Sequence, residues 1–147
     1  MLHDIISYMK NLQELEVNTR IVIAFIWTSM LFIFAYVDIF GFFRADVLED
    51  ALAGRVFIFE ANQIFFLLTT IYVMIPSLMV FLTLVLKAKF AKITNIIFPI
   101  LYIVTIAGAM IEETWWYFLV GSALEIILLI TIVMYAWKWP RVENSKN

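Results

Sequence analysis

Four long apolar runs dominate the chain: Ile21 to Phe43, Asn62 to Leu86, Ile93 to Ile111 and Thr114 to Trp137. A helix rises about 1.5 Å per residue, so roughly 20 residues cross a hydrocarbon core of about 30 Å. Each run is long enough. The pattern predicts an all-α fold, a four-helix transmembrane bundle with antiparallel neighbours. Only Glu112 and Glu113 separate the third run from the fourth, which forces those two helices into a hairpin.

Outside the runs the pattern changes. Leu2, Ile5, Ile6, Met9 and Leu12 recur at helical spacing opposite Asp4, Lys10 and Glu14, which predicts an amphipathic helix over 1–17 on the cytoplasmic membrane surface. Its mixed charges and broken stripe do not fit a signal peptide. Asn18 or Thr19 is placed to cap the first span. Ala45 to Ala53, closed by Gly54, reads as a short external interfacial helix. The membrane domain then covers 18–140, and 141–147 form a polar tail.

Pooling alternate connections gives the orientation. Lys10, Arg20, Lys87, Lys89, Lys92, Lys138, Arg141 and Lys146 fall on one side, and only Arg44 and Arg55 on the other. The termini are therefore expected in the cytoplasm, with Arg44 to Ala61 and the Glu112/Glu113 turn outside. Trp115, Trp116 and Tyr117 mark the outer boundary, and Tyr135, Trp137 and Trp139 the inner one.

Composition agrees and removes several chemistries. Hydrophobic residues make up 65% of the chain and mean hydropathy is +0.98, far above soluble proteins. The net charge of -2 leaves no basic face for nucleic acid. With no cysteine and one histidine, His3, outside the spans, no metal and no cofactor is expected.

The informative residues are polar groups inside the spans, because ionisable side chains in hydrocarbon cost several kcal/mol. Glu125 lies ten residues from Trp115, about 15 Å below the outer boundary and near the midplane. Asp38 lies nearer the outer surface. Further polar groups share helical faces: Thr28, Ala35 and Asp38; Gln63, Thr70 and Ser77; Asn95, Tyr102, Thr105 and Glu112; Ser122 and Glu125. Their depths predict a pocket around Glu125, Thr70, Tyr102, Thr105 and Ser122, opening outward past Asp38, Gln63 and an acidic rim of Glu60, Glu112 and Glu113. Helix-to-helix hydrogen bonding alone accounts for Thr70, Ser77 and Thr105. Glu125 is harder to explain so, since no Lys, Arg or His lies within any span. It must carry a proton, meet internal water or pair with an outside cation. Pro76 and Pro99 interrupt their spans and kink them. Gly108 and Gly121 fall at one depth of the hairpin and, with Ala107, Ala109 and Ser122, are expected to bring its helices close.

The segment from Trp27 to Asp38 (WTSMLFIFAYVD), Ile75-Pro76 before a basic turn and Asn95-Ile96-Ile97, and the last helix ALEIILLITIVMYAWKWP together resemble an uncharacterised family of small bacterial four-helix membrane proteins. Its marks are Tyr-x-Asp near the end of the first helix and Glu-Ile followed by Tyr-Ala-Trp in the last. The resemblance covers most of 20–140 and puts Asp38, Pro76 and Glu125 on motif positions. It implies a multi-pass protein of the bacterial inner membrane and brings no activity.

Three functions follow as expectations. The first is binding or transport of a small molecule, cation or proton, with Glu125 titrating, Asp38 gating, and a homo-oligomer, a dimer first, supplying enough helices for a path. The second is an enzyme on a lipid or sterol-like substrate using Asp38 and Glu125 as a carboxylate pair. The third is an assembly or sensing subunit without a substrate. No phosphate loop, selectivity filter or Ser/His/Asp set is present.

Overall fold

A computed structural model of the chain describes residues 1 and 16–140. The surface helix expected over 1–17 and the tail over 141–147 lie outside the described residues, save for Met1, Glu16 and Val17. Four helices are long and apolar enough to cross a membrane: α1 (Thr19–Gly41), α3 (Gln63–Val85), α4 (Ala88–Ala109) and α5 (Trp116–Trp137). Between the first two lie a short helix α2 (Ala45–Leu52) and two strands, β1 (Arg55–Val56) and β2 (Phe59–Glu60).

Local chemistry sets the helix ends. Asn18 caps α1 by accepting from the Arg20 N–H at 2.9 Å, and Asn62 caps α3 by accepting from Phe65 N–H at 2.9 Å. The third span begins at Ala88, five residues before the apolar run at Ile93, because Lys89 and Lys92 sit on its first turns. Long lysine side chains reach water from there, so helix propensity outlasts hydrophobicity. Gly54, with φ of 76°, turns the chain out of α2. A small β-hairpin then replaces the loop expected at this point: β1 and β2 pair antiparallel, Arg55 opposite Glu60 and Val56 opposite Phe59. Two-residue strands carry almost no periodic signal, and Phe57 in the tight turn holds a left-handed φ of 53° without being glycine.

α4 packs on α5, α5 on α1 and α1 on α3, while α3 and α4 touch far less than these three pairs. The core runs through Ile23, Trp27, Met30, Met79, Tyr102, Leu129 and Ile132. Large apolar residues midway along every long helix face outward, among them Phe32, Met74, Ile97 and Ile127. Such a surface is unsupportable in water and ordinary in lipid. Gly121 does not meet Gly108 as the matched depths suggested. A Cβ at Gly121 would come within 2.4 Å of a Val37 methyl on α1, whereas one at Gly108 would meet nothing within 4 Å. Close approach therefore occurs between α5 and α1, a pair no sequence spacing marks.

Candidate functional site

Two polar centres occupy the interior, and they differ in one respect. The first joins three helices. The Trp27 indole N–H donates to Asn95 Oδ1 at 2.7 Å, the Asn95 amide donates to Thr83 Oγ1 at 3.0 Å and to the Ala91 carbonyl at 2.8 Å, and Thr83 donates to the Met79 carbonyl at 2.7 Å. Every polar atom named there has a partner, so this centre reads as structural.

The second centre is incomplete. Glu125 on α5 is 2% exposed, and its Oε1 is a buried side-chain oxygen with no hydrogen-bond partner among the described residues. It lies nine residues into α5, some 14 Å from the helix start. Ser122, one turn earlier, is also buried. Asp38 on α1 is exposed at the end of the bundle that carries the β-hairpin, yet close enough to Glu125 for the two charges to interact. Tyr72 on α3 lies within electrostatic reach of both carboxylates.

Tyr72 also belongs to a ring of hydrogen bonds that sews α3 to α4. Pro76 has no N–H, so the carbonyl of Tyr72, four residues earlier, loses its helical partner. The Tyr102 hydroxyl donates to that carbonyl. In return Thr105 donates to the Tyr102 carbonyl at 3.0 Å, which leaves Tyr72 to donate its own proton to Thr105 Oγ1 at 2.7 Å. The Tyr72 and Tyr102 rings lie 4.6 Å apart, with Phe34 and Trp27 continuing the aromatic column on either side. With its proton on Thr105, Tyr72 has none to give Glu125.

The structure thus brings Asp38, Tyr102, Thr105, Ser122 and Glu125 to the half of the bundle nearer the hairpin, and adds Tyr72. Gln63 and Thr70 stand apart: both are exposed, and the Thr70 hydroxyl donates to its own helix at the Phe66 carbonyl, 2.8 Å away. Within the acidic rim, Glu60 and Glu112 are exposed, and Glu113 is tied down. Its Oε2 accepts from Arg44 at 3.0 Å and its Oε1 from the Thr114 and Trp115 N–H groups at 2.8 and 3.0 Å. Burial would raise the Glu113 carboxyl, but those N–H donors and the guanidinium outweigh it and hold it below the ordinary glutamate range. Arg44 also pairs with Asp46 at 2.6 Å, lies over the Trp115 ring at 4.6 Å, and holds the Asp46 carboxyl down.

Two hollows stand out. A void of about 10 Å³ adjoins Tyr72, Pro76 and Tyr102, and an open cleft of about 410 Å³ lies at the other end of the bundle beside Arg20 and Trp139. Glu125 lines neither. Among the described residues no group of three or more His, Cys, Asp or Glu is arranged to hold a metal ion. Sequence reasoning missed Tyr72 and the Arg44 clamp. The signal for Tyr72 was available, since a proline in a span marks the carbonyl four residues before it as an acceptor in search of a donor.

These features define a multi-pass membrane protein with a buried, partnerless carboxyl group in its bundle. The chain belongs to a family of unknown function (DUF6326), whose model matches residues 9–145. No curated protein and no solved structure matches it.

Proposed function

We propose that the protein binds and moves a proton, or a small cation in its place, through Glu125. One observation carries this reading: a carboxyl group 2% exposed whose Oε1 has no partner, neither donor nor cation, among the described residues. An ionised carboxylate there is far too costly to leave alone, so the group holds a proton or takes a cation from outside. A proton needs no cavity, and neither hollow borders Glu125. Asp38, at the exposed end and within electrostatic reach, serves as the outer relay.

The topology that goes with this reading is an up-down bundle with antiparallel neighbours and cytoplasmic termini in the bacterial inner membrane. Three contacts support the antiparallel order, each linking the start of one span to the end of another: Arg20 with the Leu84 and Leu86 carbonyls at 2.9 and 2.7 Å, Lys92 with the Trp137 carbonyl at 3.1 Å, and Arg44 with Glu113. α2, which buries none of its residues within the chain, then lies in the outer interface.

The test uses proteoliposomes holding a pH-sensitive dye. An imposed proton or cation gradient should drive dye-reported flux through the native chain and none through Glu125→Gln, which keeps the shape and removes the titrating group. Equal flux in the two would overturn the proposal. The enzyme reading is favoured by the mutual reach of Asp38 and Glu125. It is separated by incubating the native chain with the surrounding lipids, where a new lipid product lost in both Asp38→Asn and Glu125→Gln would replace transport with catalysis.

A further inference from the structure

Arg20 and Arg44 each lie against a tryptophan ring, at opposite ends of the bundle, and only Arg44 is neutralised. Arg44 grips Asp46 with the Nε and Nη2 edge of its guanidinium, at 3.1 and 2.6 Å, and turns Nη1 to Glu113. Arg20 uses Nη1 alone. That nitrogen donates to the Thr83, Leu84 and Leu86 carbonyls at 3.3, 2.9 and 2.7 Å, which anchors the group to the end of α3. Neutral carbonyls fix the side chain without cancelling its charge. Among the described residues the Nε and Nη2 of Arg20 meet no acceptor, and Arg20 forms no ion pair. The open edge is the one that takes two oxygens of a carboxylate or phosphate side by side, as its counterpart does at Arg44.

Arg20 also lines the cleft of about 410 Å³, together with Glu16, Thr19 and Trp139, a volume within the ~300–1,000 Å³ range of small-molecule sites. Its guanidinium lies over the Trp139 ring at 5.4 Å. The Thr19 hydroxyl and the Trp139 indole N–H form no hydrogen bond among the described residues and add two more polar groups to the cleft. The charge around it is one-sided. Arg44 and Arg55, at the hairpin end, are both paired with carboxylates. At the cleft end Arg20, Lys87, Lys89, Lys92 and Lys138 stand against a single described carboxylate, Glu16, and none of the five forms an ion pair among the described residues.

We infer that this cleft binds the phosphate of an anionic phospholipid, two of its oxygens on the Nε–Nη2 edge of Arg20 beside Trp139. The place favours a lipid over a soluble phosphate, because the cleft lies between the first turn of α1 and the residues just beyond α5, where a bilayer keeps its headgroups. The surplus of lysines favours an anionic headgroup over a zwitterionic one. Glu16 opposes the anion from within the same cleft. The inference stands apart from Glu125 and survives if no flux is found.

The full chain is held in mixed micelles of an uncharged detergent, and its thermal midpoint is read as phosphatidylglycerol or phosphatidylcholine is added at equal mole fraction. Phosphatidylglycerol should raise the midpoint several-fold more than phosphatidylcholine, since a ligand of the folded state stabilises it by mass action. Arg20→Lys keeps the charge and a donor for the α3 carbonyls but loses the two-pronged edge. It should lose most of the difference between the lipids, whatever its own starting midpoint. Glu16→Gln, which breaks no hydrogen bond among the described residues, should enlarge that difference, a change that a merely structural Arg20 would not produce. Arg55→Lys, at the other end, should leave it unchanged. Equal shifts from the two lipids, an undiminished difference in Arg20→Lys, or no gain in Glu16→Gln would each overturn the inference, and the last of these decides alone if Arg20→Lys does not fold. Inorganic phosphate that reproduces the shift without lipid would assign the edge to a soluble anion and overturn the lipid site.

Discussion

At the scale of single residues, the interior separates satisfied polar groups from an unsatisfied one. Asn95, Thr83 and Trp27 close on each other, so removing one strands the rest. Asn95→Leu leaves the Trp27 N–H without its acceptor and should lower stability by ~1–3 kcal/mol, read from unfolding in mixed micelles. Glu125 behaves oppositely, because no described residue donates to its Oε1. Glu125→Gln should leave the unfolding midpoint unchanged or raised while abolishing flux, and a clear loss of stability would mean the carboxyl group has a structural partner. Gly121 gives a steric prediction. Its missing Cβ is occupied by Val37, so Gly121→Ala should cost ~1–3 kcal/mol, and Val37→Ala in the same chain should restore part of it.

At the scale of elements, α3 and α4 meet through a few hydrogen bonds rather than a broad packed face. Proline explains where those bonds are. Pro76 frees the Tyr72 carbonyl, Tyr102 supplies the donor, and Thr105 closes the ring. Tyr102→Phe should destabilise the chain by ~0.5–1 kcal/mol, and Pro76→Ala, which returns the helical N–H, should make that change nearly neutral. The double-mutant cycle in unfolding free energy measures the coupling directly, and additive effects would break the link between the proline and the tyrosine. The spans themselves were legible in the sequence to within two residues at most ends, since twenty apolar residues have few other uses. The third start was displaced because lysines can sit on a span's first turns. Facing was harder to read. Gln63, Thr70 and Ser77 share a stripe, as their spacing says, but helical periodicity cannot tell which side of a membrane helix looks inward when both sides are apolar. Glu125 was identifiable from charge and depth alone, whereas the ring at Tyr72 needed the positions of two helices in space.

For the whole molecule, the bundle is closed at its hairpin end by one cation. Arg44 follows α1 and reaches Glu113 just before α5, with Asp46 and the Trp115 ring on its other sides. The Glu113 carboxylate and Arg44 are both mostly shielded from solvent, with side chains 12% and 13% exposed, so the pair is screened less than an ordinary surface ion pair. Its pH dependence has a definite sign. A carboxyl group held below its ordinary value stabilises the fold fully above that value and loses the contribution as pH falls through the lowered one. Glu113 is such a group. The clamp's contribution to the thermal midpoint should therefore be constant from neutral pH down to the ordinary glutamate value of about 4.3 and fall below it. Glu113→Gln should start lower at pH 7 and lose much of that acid-side slope, because the titrating partner of Arg44 is gone. Arg44→Gln should show the same flattening. If the native chain instead loses stability between pH 7 and 5, where the clamp is fully ionised, the controlling group lies elsewhere. A midpoint that falls below pH 4.3 equally in native and Glu113→Gln chains would remove the clamp from the acid response.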